Sequence, residues 1–189
     1  MKTNPSGRPS RLPFDLAATR GSLFHAFLDA RSEFGGGTPA LVDGDGRVLT
    51  YDELVRASFA LGHALRKGTR RDEKVGVMLP TGVGSAVAFL ALTAYGRIPT
   101  MINFTSGEAD LKSAIRTAEV RRVITAHRFI ELGKLEDTAR AVGEVAELVY
   151  LEDVRAKLSL SDKLTGLMGS FSPGLLVRQT AHDKPAAIL

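Results

Sequence analysis

Residues 74–103 read KVGVMLPTGVGSAVAFLALTAYGRIPTMIN, and this stretch decides the fold. Val75 to Leu79 is a short apolar run ending at Pro80-Thr81-Gly82, which suits a buried strand closed by a turn. From about Val83 to Tyr95 the chain is apolar on nearly every side (Ala86, Val87, Phe89, Leu90, Ala91, Leu92), so the pattern predicts a buried helix, the most buried of the chain. Ile98 to Ile102 is a second apolar strand. A strand, a helix and a strand in this order form a right-handed crossover between parallel strands.

The same alternation continues toward the C-terminus. A helix after Asn103 to Gly107 carries Leu111, Ile115 and Ala118, and Val123-Ile124-Thr125 is a third strand. One helical pattern runs from about Phe129 to Val142, and Leu148-Val149-Tyr150 is a fourth strand. Helical stretches near Glu152 to Leu158 and Asp162 to Met168 follow, and Ala186 to Leu189 has the composition of a fifth strand. The expected fold class is α/β, a parallel sheet covered by helices on both faces.

Toward the N-terminus the pattern changes. Thr50 and Glu53 have capping-box spacing at the start of a helix with Leu54, Ser58, Leu61 and Leu65 along one side and Gly68 as its stop. Ala40-Leu41-Val42 and Val48-Leu49-Thr50 flank Asp43-Gly44-Asp45-Gly46, a hairpin signal. The spaced Asp residues imitate the start of a calcium loop, but Leu54 stands where its final glutamate belongs. Ser22 caps a short helix carrying Leu23, Phe24, Phe27 and Leu28, which Gly35-Gly36-Gly37 ends. Residues 1–21, rich in Pro, Gly, Ser and Arg, read as a flexible arm.

Composition excludes several functions. The chain has 189 residues and no Cys, so no disulfide framework, thiolate metal site or cysteine nucleophile exists. Hydrophobic residues are 44% and charged residues 24%, as in globular domains. No apolar run approaches the roughly 20 residues of a transmembrane helix. The net charge of +4 is mild, and the basic pairs Arg70-Arg71 and Arg121-Arg122 lack interleaved aromatics. Nucleic-acid binding is therefore not expected, and such pairs read as solvated loop charges. The histidines at 25, 63, 127 and 182 lack metal-ligand spacing. His127 follows a strand and belongs either to a plain exposed loop or to the ligand-bearing edge of the sheet. Gly82-Val83-Gly84 begins like a dinucleotide loop, but Val87 stands at the third glycine position. No catalytic constellation is complete. The loops 80–82, 103–107 and 126–128, at the carboxyl ends of the strands, would rim any ligand site.

Motifs carry the reading further. Leu49-Thr50-Tyr51-Asp52-Glu53-Leu54 resembles the first core motif of the adenylate-forming enzymes, the superfamily of acyl-CoA synthetases, peptide-synthetase adenylation domains and luciferases. Val75 to Pro80 is similar to the following strand, and Ala91 to Asn103, with Gly96, Pro99 and Asn103, to the second core motif. Within the superfamily, Tyr95 to Thr105, with Arg97 and Met101, resembles the bacterial acyl–acyl-carrier-protein synthetases. These include the 2-acylglycerophosphoethanolamine acyltransferase/acyl-carrier-protein synthetase type. Val149 to Arg155 and Asp162-Lys163-Leu164 resemble the same branch.

This resemblance implies an ATP- and Mg²⁺-dependent ligase that forms an acyl-adenylate from a fatty acid. The acyl group then passes to a thiol of acyl carrier protein or CoA, in the cytoplasm, with peripheral contact to the inner membrane compatible. Residues 22–189 would be the first portion of the large N-terminal AMP-binding domain, ending before the phosphate loop. No catalytic or cofactor-binding residue carries over, and the chain alone is expected to bind no cofactor and to be inactive. Its expected share of the site is part of the acyl-pocket wall: Pro80, Thr81, Asn103 and Phe104. A chain so divided is expected to expose apolar surface and self-associate, and the basic pairs would help meet an acidic carrier protein. The competing readings are aryl- or amino-acid activation within the superfamily, and a non-catalytic α/β binding module.

Overall fold

The computed structural model describes residues 21–177 and 185–189. Its order is α1 (Leu23–Phe34), β1 (Pro39–Val42), β2 (Val48–Thr50), α2 (Tyr51–Leu65), β3 (Lys74–Val77), α3 (Val83–Ala94), β4 (Ile98–Met101) and α4 (Glu108–Thr117). There follow β5 (Arg122–Thr125), α5 (His127–Gly133), α6 (Glu136–Gly143), β6 (Glu147–Tyr150), α7 (Leu151–Ala156), α8 (Leu160–Phe171) and α9 (Pro173–Leu176). The expected arm lies outside the described residues apart from Gly21.

The sheet is parallel throughout, as the alternation requires, in the order β4-β3-β5-β6. Its period-2 alternation feeds two apolar layers. Val75, Val77, Leu79 and Ile124 pack with Leu65, Ala88 and Leu92 under α2 and α3. Met78, Ile102 and Val123 pack with Leu111, Ile115, Ile130 and Val142 under α4, α5 and α6. A third cluster, Phe24, Val55, Phe59, Ala94 and Tyr95, joins α1, α2 and α3. Outside the sheet, β1 and β2 form the expected antiparallel hairpin.

Local signals fold as read. Ser22 caps α1, and Gly35 ends it at φ 91°. Thr50 and Glu53 form the capping box of α2, with the Glu53 carboxylate accepting the Thr50 N–H at 2.8 Å. These backbone and side-chain bonds from Thr50 hold the Glu53 carboxyl below its ordinary pKa. The Asp43 to Gly46 segment is a turn, as expected over a calcium loop.

Other expectations are corrected. The pattern over 129–142 is two helices rather than one, because Lys134 takes a left-handed conformation and Leu135 turns its N–H back to the Ile130 carbonyl at 2.9 Å. Helix α3 is buried only in its second half (Ala88, Ala91, Leu92, Thr93, Ala94), while Phe89 is half-buried. The fifth strand shrinks to one parallel bridge, Ile188 against Thr100 on the outer edge of β4. Arg122 is no loop charge: it begins β5 and binds Glu73 at 3.2 Å and Glu147 at 2.8 Å, tying together the ends of three neighbouring strands.

Candidate functional site

The carboxyl ends of the strands bring the expected loops side by side. Across the sheet they run Asn103 to Gly107 after β4, Pro80 to Gly82 after β3, Ala126 to Arg128 at β5, and Leu151 to Asp153 at β6. Pro80 and Thr81 are exposed on the loop leaving β3, and Asn103 is exposed on the adjacent loop. The Asn103 carboxamide oxygen accepts the Thr105 N–H at 3.1 Å and the Thr105 hydroxyl at 2.7 Å, which stiffens this loop as an Asx turn. Phe104 is half-buried, edge-on to Phe129 with ring centroids 5.0 Å apart. The rim therefore offers an anchored aromatic face beside a polar, exposed turn.

His127 lies on this rim and is exposed, but as the first residue of α5 rather than in a loop. Its ring stacks on Tyr150 at 3.7 Å, and its Nε2 stands 3.3 Å from Asp153. At the start of α5 the Glu152 carboxylate accepts the backbone N–H groups of His127 (3.0 Å) and Arg128 (3.3 Å). Burial raises the Glu152 pKa, but the backbone N–H bonds outweigh it and hold the carboxyl below its ordinary value.

One contact had no signal in local sequence. Asp43, at the hairpin tip, accepts the Val83 N–H at 3.2 Å and so caps α3 from 40 residues away. A Cβ at Gly82 would stand 2.8 Å from the Asp43 carboxylate, which explains glycine there. Helix N-termini attract anions, but Asp43 occupies this one, Glu152 that of α5, and Glu108 and Asp110 lie in the first turn of α4. These three rim termini are already balanced by carboxylates, and the weak phosphate attraction that Gly82 and Gly107 suggest is opposed. Among the described residues no group of three or more His, Asp or Glu is placed to hold a metal. The rim thus suits an uncharged part of a substrate better than a triphosphate. Asp43→Ala should lower stability by about 1 kcal/mol through loss of the α3 cap. Thermal melts should show a fall of roughly 2–4 °C, with Asp43→Asn losing less.

The opposite, amino end of the sheet carries two polar clefts. One of 340 Å³ is lined by Lys67, Thr69, Arg70, Glu73, Arg121, Arg122 and Glu147, and one of 240 Å³ by Arg66, Arg71, Tyr95 and Arg97. The basic pairs of the sequence therefore meet at one edge, where the ion pairs of Arg122 lace strand ends together. Arg97, the residue that marked the acyl-carrier-protein branch, donates to the Thr69 carbonyl at 2.5 Å and the Tyr95 carbonyl at 2.6 Å. It locks the 66–73 loop to β4.

Comparison with known proteins agrees with this architecture. Residues 28–188 match the model of the AMP-binding enzyme family. The chain is similar to acetyl-coenzyme A synthetase 1 of Candida albicans, 32% identical over 56% of this chain and 17% of that protein. It is also similar to acetyl-coenzyme A synthetase of Streptomyces coelicolor, 30% identical over 73% of this chain and 22% of that protein. Among solved structures, VinN with 3-methylaspartate superposes with a TM-score of 0.68 at 22% identity, over 89% of this chain and 43% of that one. The chain thus spans less than a quarter of the two synthetases. A hairpin running into a capped helix, the parallel sheet behind it and a family match over most of the chain agree: the chain belongs to the AMP-binding enzyme family and forms an N-terminal part of the adenylate-forming fold.

Proposed function

We propose that this chain is the N-terminal portion of a cytoplasmic ATP-dependent ligase that activates a fatty acid and transfers it to a thiol of acyl carrier protein or CoA. The observation that carries the reading is the family match over residues 28–188. In the proposed reaction a carboxylate oxygen attacks the α-phosphorus of ATP and pyrophosphate leaves. A thiolate then attacks the acyl carbon and AMP leaves. Mg²⁺ would neutralise charge on the phosphates. In this reading the groups that hold ATP and Mg²⁺ come from the rest of the enzyme. Their share is the wall: Pro80, Thr81, Asn103 and Phe104 stand on neighbouring loops, with the Phe104 ring held by Phe129.

The wording of Tyr95 to Thr105 favours a fatty-acyl substrate and a carrier-protein acceptor. The similarity to acetyl-coenzyme A synthetases favours a second reading, a short acyl group and CoA. Pyrophosphate release from ATP separates the two, measured with a long-chain fatty acid and with acetate on the natural full-length product and on this chain alone. The expected result is release with the long-chain acid by the full-length product and none by this chain. Faster release with acetate selects the second reading, and no release with any acid from the full-length product overturns both. Phe104→Ala should lower kcat/KM for the preferred acid about ten-fold through lost apolar contact, with the KM for ATP unchanged.

A further inference from the structure

The two clefts at the amino end of the sheet differ in charge. In the larger one Glu73 and Glu147 hold Arg122, so acids and cations line it together. The smaller one, of 240 Å³, is lined by Arg66, Arg71, Tyr95 and Arg97, and among the described residues no acid lines it. Three guanidinium groups around one small cavity repel one another, and an anion placed between them relieves that repulsion.

The cations are partly fixed in place. Arg97 is half-buried and held by uncharged acceptors: the Thr69 carbonyl at 2.5 Å, the Tyr95 carbonyl at 2.6 Å and the Thr69 hydroxyl at 2.9 Å. Arg66 and Arg71 are exposed, so a ligand can reach them. Arg66 donates to His63 Nε2 at 2.8 Å, and His63 Nδ1 meets Asp162, a carboxylate that Lys67 already balances. Asp72 is the nearest acid in sequence. Its N–H is tied to the Gly96 carbonyl at 2.8 Å, and it does not line the cleft. Even with Asp72 counted, the cations are in excess. Planar guanidinium forks pair with phosphate oxygens two at a time. The volume lies below the roughly 300 Å³ at which pockets for drug-sized ligands begin, so it suits a phosphate group or two rather than a nucleotide or a protein segment.

We propose that the cleft of Arg66, Arg71 and Arg97 binds a small phosphate-bearing anion, best filled by a diphosphate. Two linked phosphate groups meet the three guanidinium groups better than one does. The site lies at the opposite end of the sheet from the rim that carries Pro80, Thr81, Asn103 and Phe104. The inference stands on this cleft and does not depend on the ligase reading.

The test is calorimetric titration of the whole chain with sodium pyrophosphate, inorganic phosphate and citrate. Pyrophosphate should bind one to one with a Kd below about 1 mM, and phosphate and citrate more weakly. Arg66→Gln and Arg71→Gln should each raise the Kd for pyrophosphate about ten-fold, with Arg71→Lys in between because it keeps the charge but not the fork. Arg70→Gln and Arg121→Gln, in the neighbouring cleft, should change it by less than about two-fold. Both cleft variants replace exposed side chains and should melt with the wild type. Phenylglyoxal labelling read by mass spectrometry carries the test to the natural full-length product, where Arg66 and Arg71 should be labelled and pyrophosphate should protect them. No binding of pyrophosphate, equal losses from the neighbouring-cleft variants, or citrate bound as tightly as pyrophosphate overturns the proposal. So does a full-length product in which both arginines resist labelling without pyrophosphate, an outcome that assigns the cleft to the rest of the enzyme.

Discussion

Gly62→Val is expected to cost about 3 kcal/mol or more of stability, read as a lower denaturant midpoint at unchanged slope. Gly62 lies in the middle of α2, where α3 crosses it. A Cβ there would overlap the Tyr95 ring and stand 2.7 Å from the Ala91 carbonyl oxygen. A ring can rotate, but a helix carbonyl cannot leave without taking α3 along. The two helices must separate, and the Phe59–Tyr95 contact, with ring centroids 6.1 Å apart, opens with them. Gly62→Ala supplies the sign. Helix propensity alone would make alanine more stable by about 1 kcal/mol, so a net loss isolates the steric term. Gly37, whose Cβ would meet nothing within 4 Å, is the control and should tolerate alanine within about 0.5 kcal/mol.

Asp162→Ala is expected to cost about 3 kcal/mol and to flatten the acid limb of the stability curve. The Asp162 carboxylate accepts from Lys67 at 2.9 and 3.2 Å, the Ser159 N–H at 2.8 Å and the Ser159 hydroxyl at 2.6 Å, with His63 Nδ1 at 2.6 Å. Burial alone would raise its pKa. The hydrogen bonds from Ser159, Lys67 and His63 outweigh burial and hold the carboxyl far below the ordinary range. A carboxyl depressed in the folded state adds stability above its unfolded pKa of about 4, and that stability drains away as pH falls below it. Wild-type stability should therefore drop between about pH 4 and 2, and Asp162→Asn should drop less over the same interval. Parallel acid limbs for the two proteins would show that Asp162 is not the titrating clasp between α2 and α8.

Much of the sheet was legible because its determinants are local. Val75 to Leu79 and Ile98 to Ile102 carry their burial in their own side chains, and both the hairpin and the Thr50–Glu53 box close within a few residues. What escaped was set by distance. Asp43 reads as a turn residue, and nothing nearby says that it caps a helix 40 positions on. Periodicity finds a stripe but not the direction in which it faces. Leu160, Leu164, Met168 and Phe171 have core spacing, and only Gly166 and Gly169 against α2 turn them to solvent. Phe89 failed for the same reason, since it lies between the buried Ala88 and Ala91 but on a side of α3 that is only half-buried. The Arg121-Arg122 pair looked like surface charge because the carboxylates that hold Arg122 come from 25 and 49 residues away. Of the rim, the loops were legible from strand ends, but the carboxylates that occupy its helix termini were not.

Strand β4 is the outer edge of the sheet on one side, and open edges are where β proteins recruit strands from other molecules. Here the edge is blunted twice. Pro99 has no N–H to offer, and Ile188 takes both neighbouring groups, accepting the Met101 N–H at 2.8 Å and donating its own to the Pro99 carbonyl at 2.9 Å. A single residue, returned from 88 positions downstream of Thr100, thus acts as a stopper against lateral fibril growth. Any cut or unfolding event that frees Ile188 bares the Met101 N–H and Pro99 carbonyl that it now pairs, and turns this edge into a template.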